Sequence, residues 1–591
     1  MAPLRQTQLG SPLTRAIALV SGIAMALSVE PVAAWPLAWV AIAPLWVLIM
    51  GYGSRQSSLW DALRLGALWS IGYYGLMLSW VTGLHPLTWM GVPWLASVAI
   101  ALLCWGAGTL YCTAWTLLWL GTFRVLTTFQ EKLNRPFNFS AQASQGYGYL
   151  SPGSTLTQVL WRSSQRVLLG AALWCGMDWL WRNSFLYWPS LALTQSPHNL
   201  VILHLSQWAG PDAVAIAIIA VNGFLAESWI GWHRASMPSS TPSAQSLAHR
   251  TAALCGAIAL ILFISLHGLG AIRFASDGSA ELSGEKSALA TLSESSSPIP
   301  NPLSIGMIQG NVPTRIKLYE EGLRRAFQGY TDGYETLVDQ GVDAVLTPEG
   351  AFPIIWNDPI QTRTPLYRAV RDRHIPLWLG TFFPEGRDFT QSLISLNRDA
   401  EVVGRYSKVK LVPFGEYIPF EPILGAIVAR LSPLDAYMIP GKAGQRFDTP
   451  FGLAIVGICY ESAFPQIFRQ QAQAGGEFIL TASNNDPYGT AMMAQHHAQD
   501  VMRAIETDRW AVRATNTGYS GVVDHHGRTL WRSQPHIYQL HQATIGRRDT
   551  LTPYVRWGDW LTPTVLLGAI ASLALSWIGW AIALSRDRRA P

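Results

Sequence analysis

The sequence predicts two architectures in one chain: a membrane α-helical bundle of about eight spans, and a mixed α/β domain outside the cytoplasm. Three observations lead there. The 591-residue chain carries 13% charged residues and a mean hydropathy of +0.19, too apolar for a purely soluble protein of this length. Its 27 Trp gather in the first half, at Trp35, Trp39, Trp46, Trp60, Trp80, Trp89 and Trp94, as in the headgroup belts at span ends. From Ser304 the texture changes to short Val/Ile-rich runs separated by helical patterns, which implies a sheet core.

The first apolar segment, Ala16 to Val29, follows Arg5 and Arg15 and has the outline of a signal peptide with Pro31-Val32-Ala33-Ala34 as its cleavage region. A second run, Trp35 to Met50, follows almost at once, which suits a retained helical hairpin better. Further spans are expected at about 61–83, 90–121, 165–182, 211–231, 251–271 and 562–584, with 90–121 read as one helix tilted or kinked around Pro93 and Gly106. The polar stretch at about 125–160 reads as a cytoplasmic insert, and 273–303, rich in Ser, Ala and Glu, as a linker.

Basic residues set the expected orientation, because basic loops stay cytoplasmic. The N-terminus, the loop near Arg55 and Arg64, the insert with Arg124, Lys132, Arg135, Arg162 and Arg166, the loop with Arg234 and Arg250, and the tail with Arg586, Arg588 and Arg589 fall on one side. With seven spans before it and one after, the polar region 273–560 is then outside the cytoplasm. A net charge of +5 and no basic stripe interleaved with aromatics argue against nucleic acid as a partner. Cys104, Cys112, Cys175 and Cys255 lie in apolar segments and imply no disulfide framework, which leaves Cys459 as the cysteine of the polar half.

In the polar half, runs at 304–309, 343–347, 376–382, 390–412, 452–459, 477–482 and 511–524 read as strands. Residues 491–509 read as a helix with Met493, Val501, Ala504 and Ile505 facing the sheet, and Arg503 and Glu506 adjacent on its surface. Three strand ends carry chemistry. Cys459 closes Leu453 to Ile458; a cysteine there is also a common small core residue. A nucleophilic thiol needs a base and a cation for the developing oxyanion, and both types are present. Ala344-Val345-Leu346-Thr347-Pro348-Glu349-Gly350 ends a strand with a carboxylate, and Arg405-Tyr406-Ser407-Lys408-Val409-Lys410-Leu411 places a lysine after another.

Glu, Lys and Cys in this order, each at the end of an apolar run, resemble the nitrilase superfamily of carbon–nitrogen hydrolases. The resemblance implies an αββα sandwich with Glu349 as general base, Lys408 as cation and Cys459 as nucleophile. Lys410 is the rival lysine, but the first position of Lys-x-x-Leu fits the pattern. Ile308-Gln309-Gly310-Asn311-Val312-Pro313, Leu411-Val412-Pro413-Phe414-Gly415-Glu416-Tyr417-Ile418-Pro419, Cys459-Tyr460-Glu461, Ser483-Asn484-Asn485-Asp486 and Arg513-Ala514-Thr515-Asn516-Thr517-Gly518 narrow it. With a bundle attached, the chain resembles the apolipoprotein N-acyltransferase family, the membrane-embedded branch of that superfamily. The departures are the Pro487-Tyr488 after Asp486, the longer insert, and Leu318 or Tyr319 where the family often carries tryptophan.

The resemblance implies a bundle at 1–272, a linker at 273–303, a catalytic domain at 304–560, and a last span with a basic tail at 561–591. It implies ping-pong acyl transfer from a membrane phospholipid, through a Cys459 thioester, to the α-amine of a diacylglyceryl-cysteine lipoprotein. It further implies a bacterial inner membrane with the catalytic domain on the periplasmic side, a monomer, and no cofactor or metal. Glu416 and Glu461 are expected to orient the lysine and the nucleophile loop, and the Tyr460 N–H to join Lys408 in holding the oxyanion. The apolar stretch Tyr417 to Met438 reads as an arm dipping into the bilayer, or as ordinary packing. Gln495-His496-His497 reads as surface or supporting residues and not a metal pair, since adjacent histidines on a helix diverge. His525-His526 reads as a solvated turn.

Two other functions fit parts of the sequence. A membrane-anchored amidase or nitrilase would use the same triad with water as acceptor, yet one helix would suffice to anchor it. A transporter or receptor with a ligand-binding outer domain would need a polar path, and the spans hold few ionisable residues beyond Asp178 and Glu227.

Overall fold

The structure is a computed structural model that describes residues 11–50, 58–133, 155–236, 241–280, 299, 301–357, 362–417 and 438–587. Among the described residues, four helices are long and apolar enough to cross a membrane: Trp94–Leu133, Pro211–Ala235, Pro242–Ala275 and Leu561–Ile582. Pro12–Leu27, Ala43–Met50, Leu59–Met77 and Leu156–Arg182 pack among them. Close backbone approach fixes the crossing of Pro12–Leu27 with Leu59–Met77. A β-carbon at Gly22 would stand 2.0 Å from the Trp69 carbonyl oxygen, so only glycine permits that contact.

Several polar groups inside the bundle are paired. Asn222 Oδ1 accepts the N–H groups of Ile42 and Ala43 at 2.9 and 3.0 Å, capping the helix Ala43–Met50 from a different helix. Glu227 pairs with Arg166 at 2.5 Å, and Asp178 with Arg182 at 3.0 Å. The two acidic residues that stood out in the sequence are thus held by neighbouring cations. The helix Trp94–Leu133 is one continuous element that extends through 125–133, and Leu156–Arg182 opens before 160. The expected insert at 125–160 is therefore helical at both ends, and its centre at 134–154 lies outside the described residues. Likewise the helix from Pro242 runs to Ala280, taking the first residues of the expected linker at 273–303.

Among the described residues of the polar half, thirteen strands form two sheets. They are β1 Pro302–Gln309, β2 Ala344–Leu346, β3 Phe352–Ile355, β4 Leu377–Glu385, β5 Asp388–Leu396, β6 Val402–Ser407, β7 Phe447–Thr449, β8 Gly452–Ile458, β9 Phe478–Ser483, β10 Ala511–Thr515, β11 Gly521–Val523, β12 Thr529–Arg532 and β13 Gln539–Gly546. The first sheet runs β13-β1-β2-β4-β5-β6 with β3 on β4, and the second runs β12-β11-β10-β9-β8-β7. Leu303, Ile305, Leu346, Trp378 and Leu393 of the first share one buried core with Val456, Ile458, Leu480, Val512 and Val522 of the second, so the sheets pack face to face. The runs read as strands fall on β1, β2, β4, β5, β6, β8, β9, β10 and β11. The run 390–412 is a hairpin and the start of a loop, because a turn at Asn397–Ala400 splits it.

Helices cover the outer faces. Glu320–Asp339 and Pro365–Arg373 lie on the first sheet, and Pro465–Gln473 and Thr490–Thr507 on the second. The last of these does not face water. Its core residues Met492, Ala498, Val501 and Ile505 continue into the bundle's buried core, and Gln495 Nε2 donates to the carbonyls of Glu30 and Met77 at 3.0 and 3.1 Å. Arg503 and Glu506, expected on the helix surface, are a buried ion pair at 2.8 Å. The correction has one cause: a second body covers the face that amphipathic reading leaves to solvent.

Residues 183–210, between two long bundle helices, supply much of that cover. Trp188 Nε1 donates to Gln495 Oε1 at 2.9 Å and Ser196 Oγ to the Ala498 carbonyl at 2.6 Å. His525 and His526, expected in a solvated turn, are buried too. His526 packs on His204 and Phe274, with ring centroids 5.8 and 5.4 Å away.

Candidate active site

The parallel strands β8, β9 and β10 end at Ile458, Ser483 and Thr515, and each hands the chain to a turn at the same edge. Across the sandwich, β2 leads to Glu349 and β6 to Lys408. The Glu349 turn lies so close to β4 that a β-carbon at Gly380 would meet the Pro348 carbonyl oxygen at 1.9 Å. Cys459 takes φ +52, a left-handed conformation costly for a residue with a side chain, and opens the 3-10 turn Cys459–Ala463. Strain of this kind holds a side chain out at a strand end.

Lys408, fully buried, lies between two carboxylates. Its Nζ donates to Glu349 Oε1 at 2.7 Å and to Glu416 Oε1 at 2.6 Å. Burial alone would lower its pKa, but Glu349 and Glu416 together hold it well above the usual lysine range, so the ammonium persists. The other oxygen of Glu349 accepts the Asn484 N–H at 2.9 Å. Cys459 Sγ lies 3.9 Å from the Asn484 carbonyl, and burial, with Glu349 next, pushes its thiol up to about 12. The thiol is therefore protonated at neutral pH, and for it to act as a nucleophile a base would have to take its proton. Lys410, the rival, sits with its Nζ 5.0 Å above the Phe464 ring and makes no contact with Glu349.

The supporting residues of the sequence reading sit in the same cluster. Glu416 holds Lys408 from the side opposite Glu349, and its Oε2 accepts the Val412 N–H at 2.8 Å. Glu461 is fully buried and ties two loops together. Oε1 accepts from the N–H groups of Val409 and Lys410 at 2.6 and 3.1 Å, and Oε2 from that of Ile458 at 2.8 Å. Burial pushes its pKa up to about 7, against those three N–H donors and Lys408. Tyr460 turns its ring away from the thiol, onto Trp188 at 6.4 Å and Phe464 at 5.0 Å.

Several site residues escape sequence reading. His496, expected at the surface or in support, is buried; its Nε2–H donates to the Cys459 carbonyl at 2.7 Å while Nδ1 accepts from Asn485 Nδ2 at 2.9 Å. Burial and Arg513 drive it down to about 3, so the ring is neutral and fixed in one tautomer. His497 diverges from it, to Thr529 Oγ1 at 2.8 Å. Beneath the turn that carries Cys459, Arg513 bonds Asp500 at 2.5 Å, Ser483 at 2.7 Å and Ser462 at 3.0 Å, closing a buried network. Lys317 donates to the Glu349 carbonyl at 3.0 Å. Their signal in the sequence was weak: a lysine in a polar stretch and a histidine on an amphipathic helix look ordinary until the second sheet and the bundle close over them. Leu318 and Tyr319 are exposed, and residues 418–437 of the expected arm lie outside the described residues.

A buried thiol, a carboxylate within reach of the same ammonium and an aromatic wall can together run covalent acyl transfer in a dry setting. That wall continues into the bundle, through Trp188 against Trp80 and Trp80 against Tyr488, both at 5.2 Å.

Residues 306–550 match the carbon–nitrogen hydrolase family, and residues 21–224 the apolipoprotein N-acyltransferase N-terminal domain. The chain is 46% identical to the apolipoprotein N-acyltransferase of Nostoc sp., across 94% of this chain and 97% of the relative. It is 38% identical to that of Synechocystis sp., across 94% of this chain and 98% of the relative. Among solved structures, a mutant of the Nesterenkonia amidase from the nitrilase superfamily is 20% identical, covering 43% of this chain and 93% of that one with a TM-score of 0.32.

Proposed function

The chain belongs to the apolipoprotein N-acyltransferase family, membrane enzymes of lipoprotein maturation built on a nitrilase-like domain, and from that premise we propose the chemistry of its individual residues. As an N-acyltransferase it takes phospholipid and lipoprotein substrates. The observation that carries the residue assignment is the 2.7 Å contact of Lys408 with Glu349 at the strand edge where Cys459 is held at positive φ.

Glu349 takes the Sγ proton of Cys459, and the thiolate attacks an ester carbonyl of the phospholipid. The tetrahedral oxyanion is held by the Lys408 ammonium and the Tyr460 N–H. Collapse breaks the ester C–O bond, and the departing lysophospholipid oxygen takes the proton from Glu349, leaving a thioester. The α-amine of a diacylglyceryl-cysteine then attacks that thioester. Glu349 receives the amine proton and passes it to the released thiolate, restoring the free enzyme with an amide as product.

Eight bundle helices, with the domain outside the cytoplasm in a bacterial inner membrane, form the arrangement favoured by the basic loops. We divide the chain into a bundle up to the helix end at Ala280, a catalytic domain from Pro302 to about 560, and the last span from Leu561, acting as a monomer. The anchored-hydrolase alternative is disfavoured by the match of 21–224 to the acyltransferase N-terminal domain.

The test is the intact mass of the purified protein after incubation with phospholipid and no acceptor. One added acyl chain that requires Cys459 and leaves on addition of a diacylglyceryl peptide supports ping-pong transfer. An adduct retained by Cys459→Ala, or no adduct at all, overturns it.

A further inference from the structure

We propose that Lys317 is a second cation of the active site, a positioning residue whose ammonium charge lowers the cost of building negative charge on Cys459. The inference rests on Cys459 being the acylated nucleophile.

Lys317 ends the short helix Thr314–Lys317, which is fastened to the loop beside the nucleophile. The Thr314 N–H donates to Asp486 Oδ2 at 2.7 Å, and Asn484 Nδ2 to Thr314 Oγ1 at 3.2 Å. Asn484 is also the residue whose carbonyl faces Cys459 Sγ. The lysine is 93% buried, and among the described residues its one hydrogen-bond acceptor is the Glu349 carbonyl. Two of its three N–H donors therefore lack a protein partner there, on the side of Gly350 that the unpartnered Gln391 amide nitrogen also faces. Both nitrogens stand 3.4 Å from where a β-carbon at Gly350 would lie.

Charge bookkeeping gives this buried ammonium its role. Lys408 is already bracketed by Glu349 and Glu416, so its charge is more than balanced. The groups whose charges act on Lys317 are Glu349, Asp486 and Cys459. Counting Glu349, Glu416 and Asp486 against Lys408 and Lys317, the site carries three negative and two positive charges, a net of −1. Moving the Cys459 proton to Glu349 leaves that sum unchanged, but it moves the negative charge to sulfur and then to the ester oxygen. Without Lys317 the same steps would proceed against a net of −2 in a low-dielectric pocket, where like charges are costly. Burial lowers Lys317 to about 8, against the pull of Glu349, Asp486 and Cys459, so its charge is present at neutral pH and fades above it.

The test uses the full-length protein with Lys317→Gln, which keeps a donor for the Glu349 carbonyl but loses the charge, and Lys317→Arg, which keeps the charge. Alkylation of Cys459 by uncharged iodoacetamide across pH reads the thiol, single-turnover thioester formation from phospholipid reads the reaction, and thermal unfolding reads the fold. Lys317→Gln is expected to unfold like the parent, to slow alkylation of Cys459 at pH 7, where the parent's Lys317 is charged, by up to about tenfold, and to slow acylation by about tenfold or more. Lys317→Arg is expected to restore acylation to within about threefold and to move upward the alkaline loss of rate that begins near pH 8. An unchanged thiol profile and acylation rate in Lys317→Gln would overturn the proposal. So would an arginine variant as impaired as the glutamine one. Should Lys317→Gln fail to fold, the alkaline limb of Lys317→Arg against that of the parent decides alone. Acylation of Cys459→Ala would instead overturn the nucleophile assignment.

Discussion

The phenol of Tyr460 and the backbone of Tyr187 exchange two hydrogen bonds: the hydroxyl accepts the Tyr187 N–H at 2.8 Å and donates to the Tyr187 carbonyl at 2.7 Å. One partner follows Cys459 directly, and the other belongs to the segment between two long bundle helices. The bundle thereby holds the turn that carries Cys459, which gives membrane helices a role in this active site beyond anchoring. Tyr460→Phe keeps the ring on Trp188 but leaves a buried N–H and C=O without partners, at a cost of about 1–3 kcal/mol each. Lower unfolding temperature together with slower thioester formation is expected. Normal acylation in a destabilised protein would mean that the contact serves stability alone.

Glu461 accepts from three backbone N–H groups on two loops, one leading from Lys408 and one ending at Cys459. Glu461→Gln preserves shape but turns an amide N–H₂ toward at least one of those donors. Losing a charged acceptor there is expected to destabilise by about 1.5–3 kcal/mol and to slow acylation more than Glu461→Asp slows it. Thermal unfolding and single-turnover acylation measured side by side check this.

His496 gives a pH signature. Its folded pKa lies near 3, below the ordinary 6.5, so the unfolded chain binds the extra proton more readily. Stability from this group is complete above about pH 6.5 and is lost as the pH falls toward 3. Acid unfolding should therefore steepen below pH 6.5, and His496→Gln should flatten that part of the curve while lowering stability at pH 7. In the acylation profile His496 adds no limb between pH 5 and 8, because it stays neutral throughout.

Glu349, Lys408 and Cys459 each follow a short apolar run, so strand reading places them at strand ends, where the structure has them; the roles proposed for them come from the family resemblance. β13 was missed because Gln539, His541 and Gln542 dilute its alternation, although it pairs with β1 along its whole length. The pattern predicts the helix Thr490–Thr507 but leaves Arg503 and Glu506 on its surface and His496 either there or in support of the site. Periodicity reports that one face is apolar; it cannot report a bundle several hundred residues away that covers the polar face. His526 escapes for the same reason, since its cover comes from His204 and Phe274.

Glu349→Gln separates the two effects that one carboxylate exerts on Cys459. As a charge beside the thiol, Glu349 helps push it up to about 12, second to burial. As the proposed base, it would take the proton when the ester arrives. The amide keeps an oxygen for Lys408 Nζ, now 2.7 Å from Oε1, but carries no charge and accepts no proton. Alkylation of the free thiol by iodoacetamide at pH 9 is therefore expected to become faster. Thioester formation from phospholipid is expected to fall by about 10²- to 10⁴-fold, the usual worth of a positioned base. A general loss of structure would also slow the reaction and expose the thiol to alkylation, so an unchanged unfolding temperature is the reading that separates it from loss of the base. If alkylation and acylation both slow, Glu349 is a support for Lys408 and the base must be sought elsewhere in the cluster.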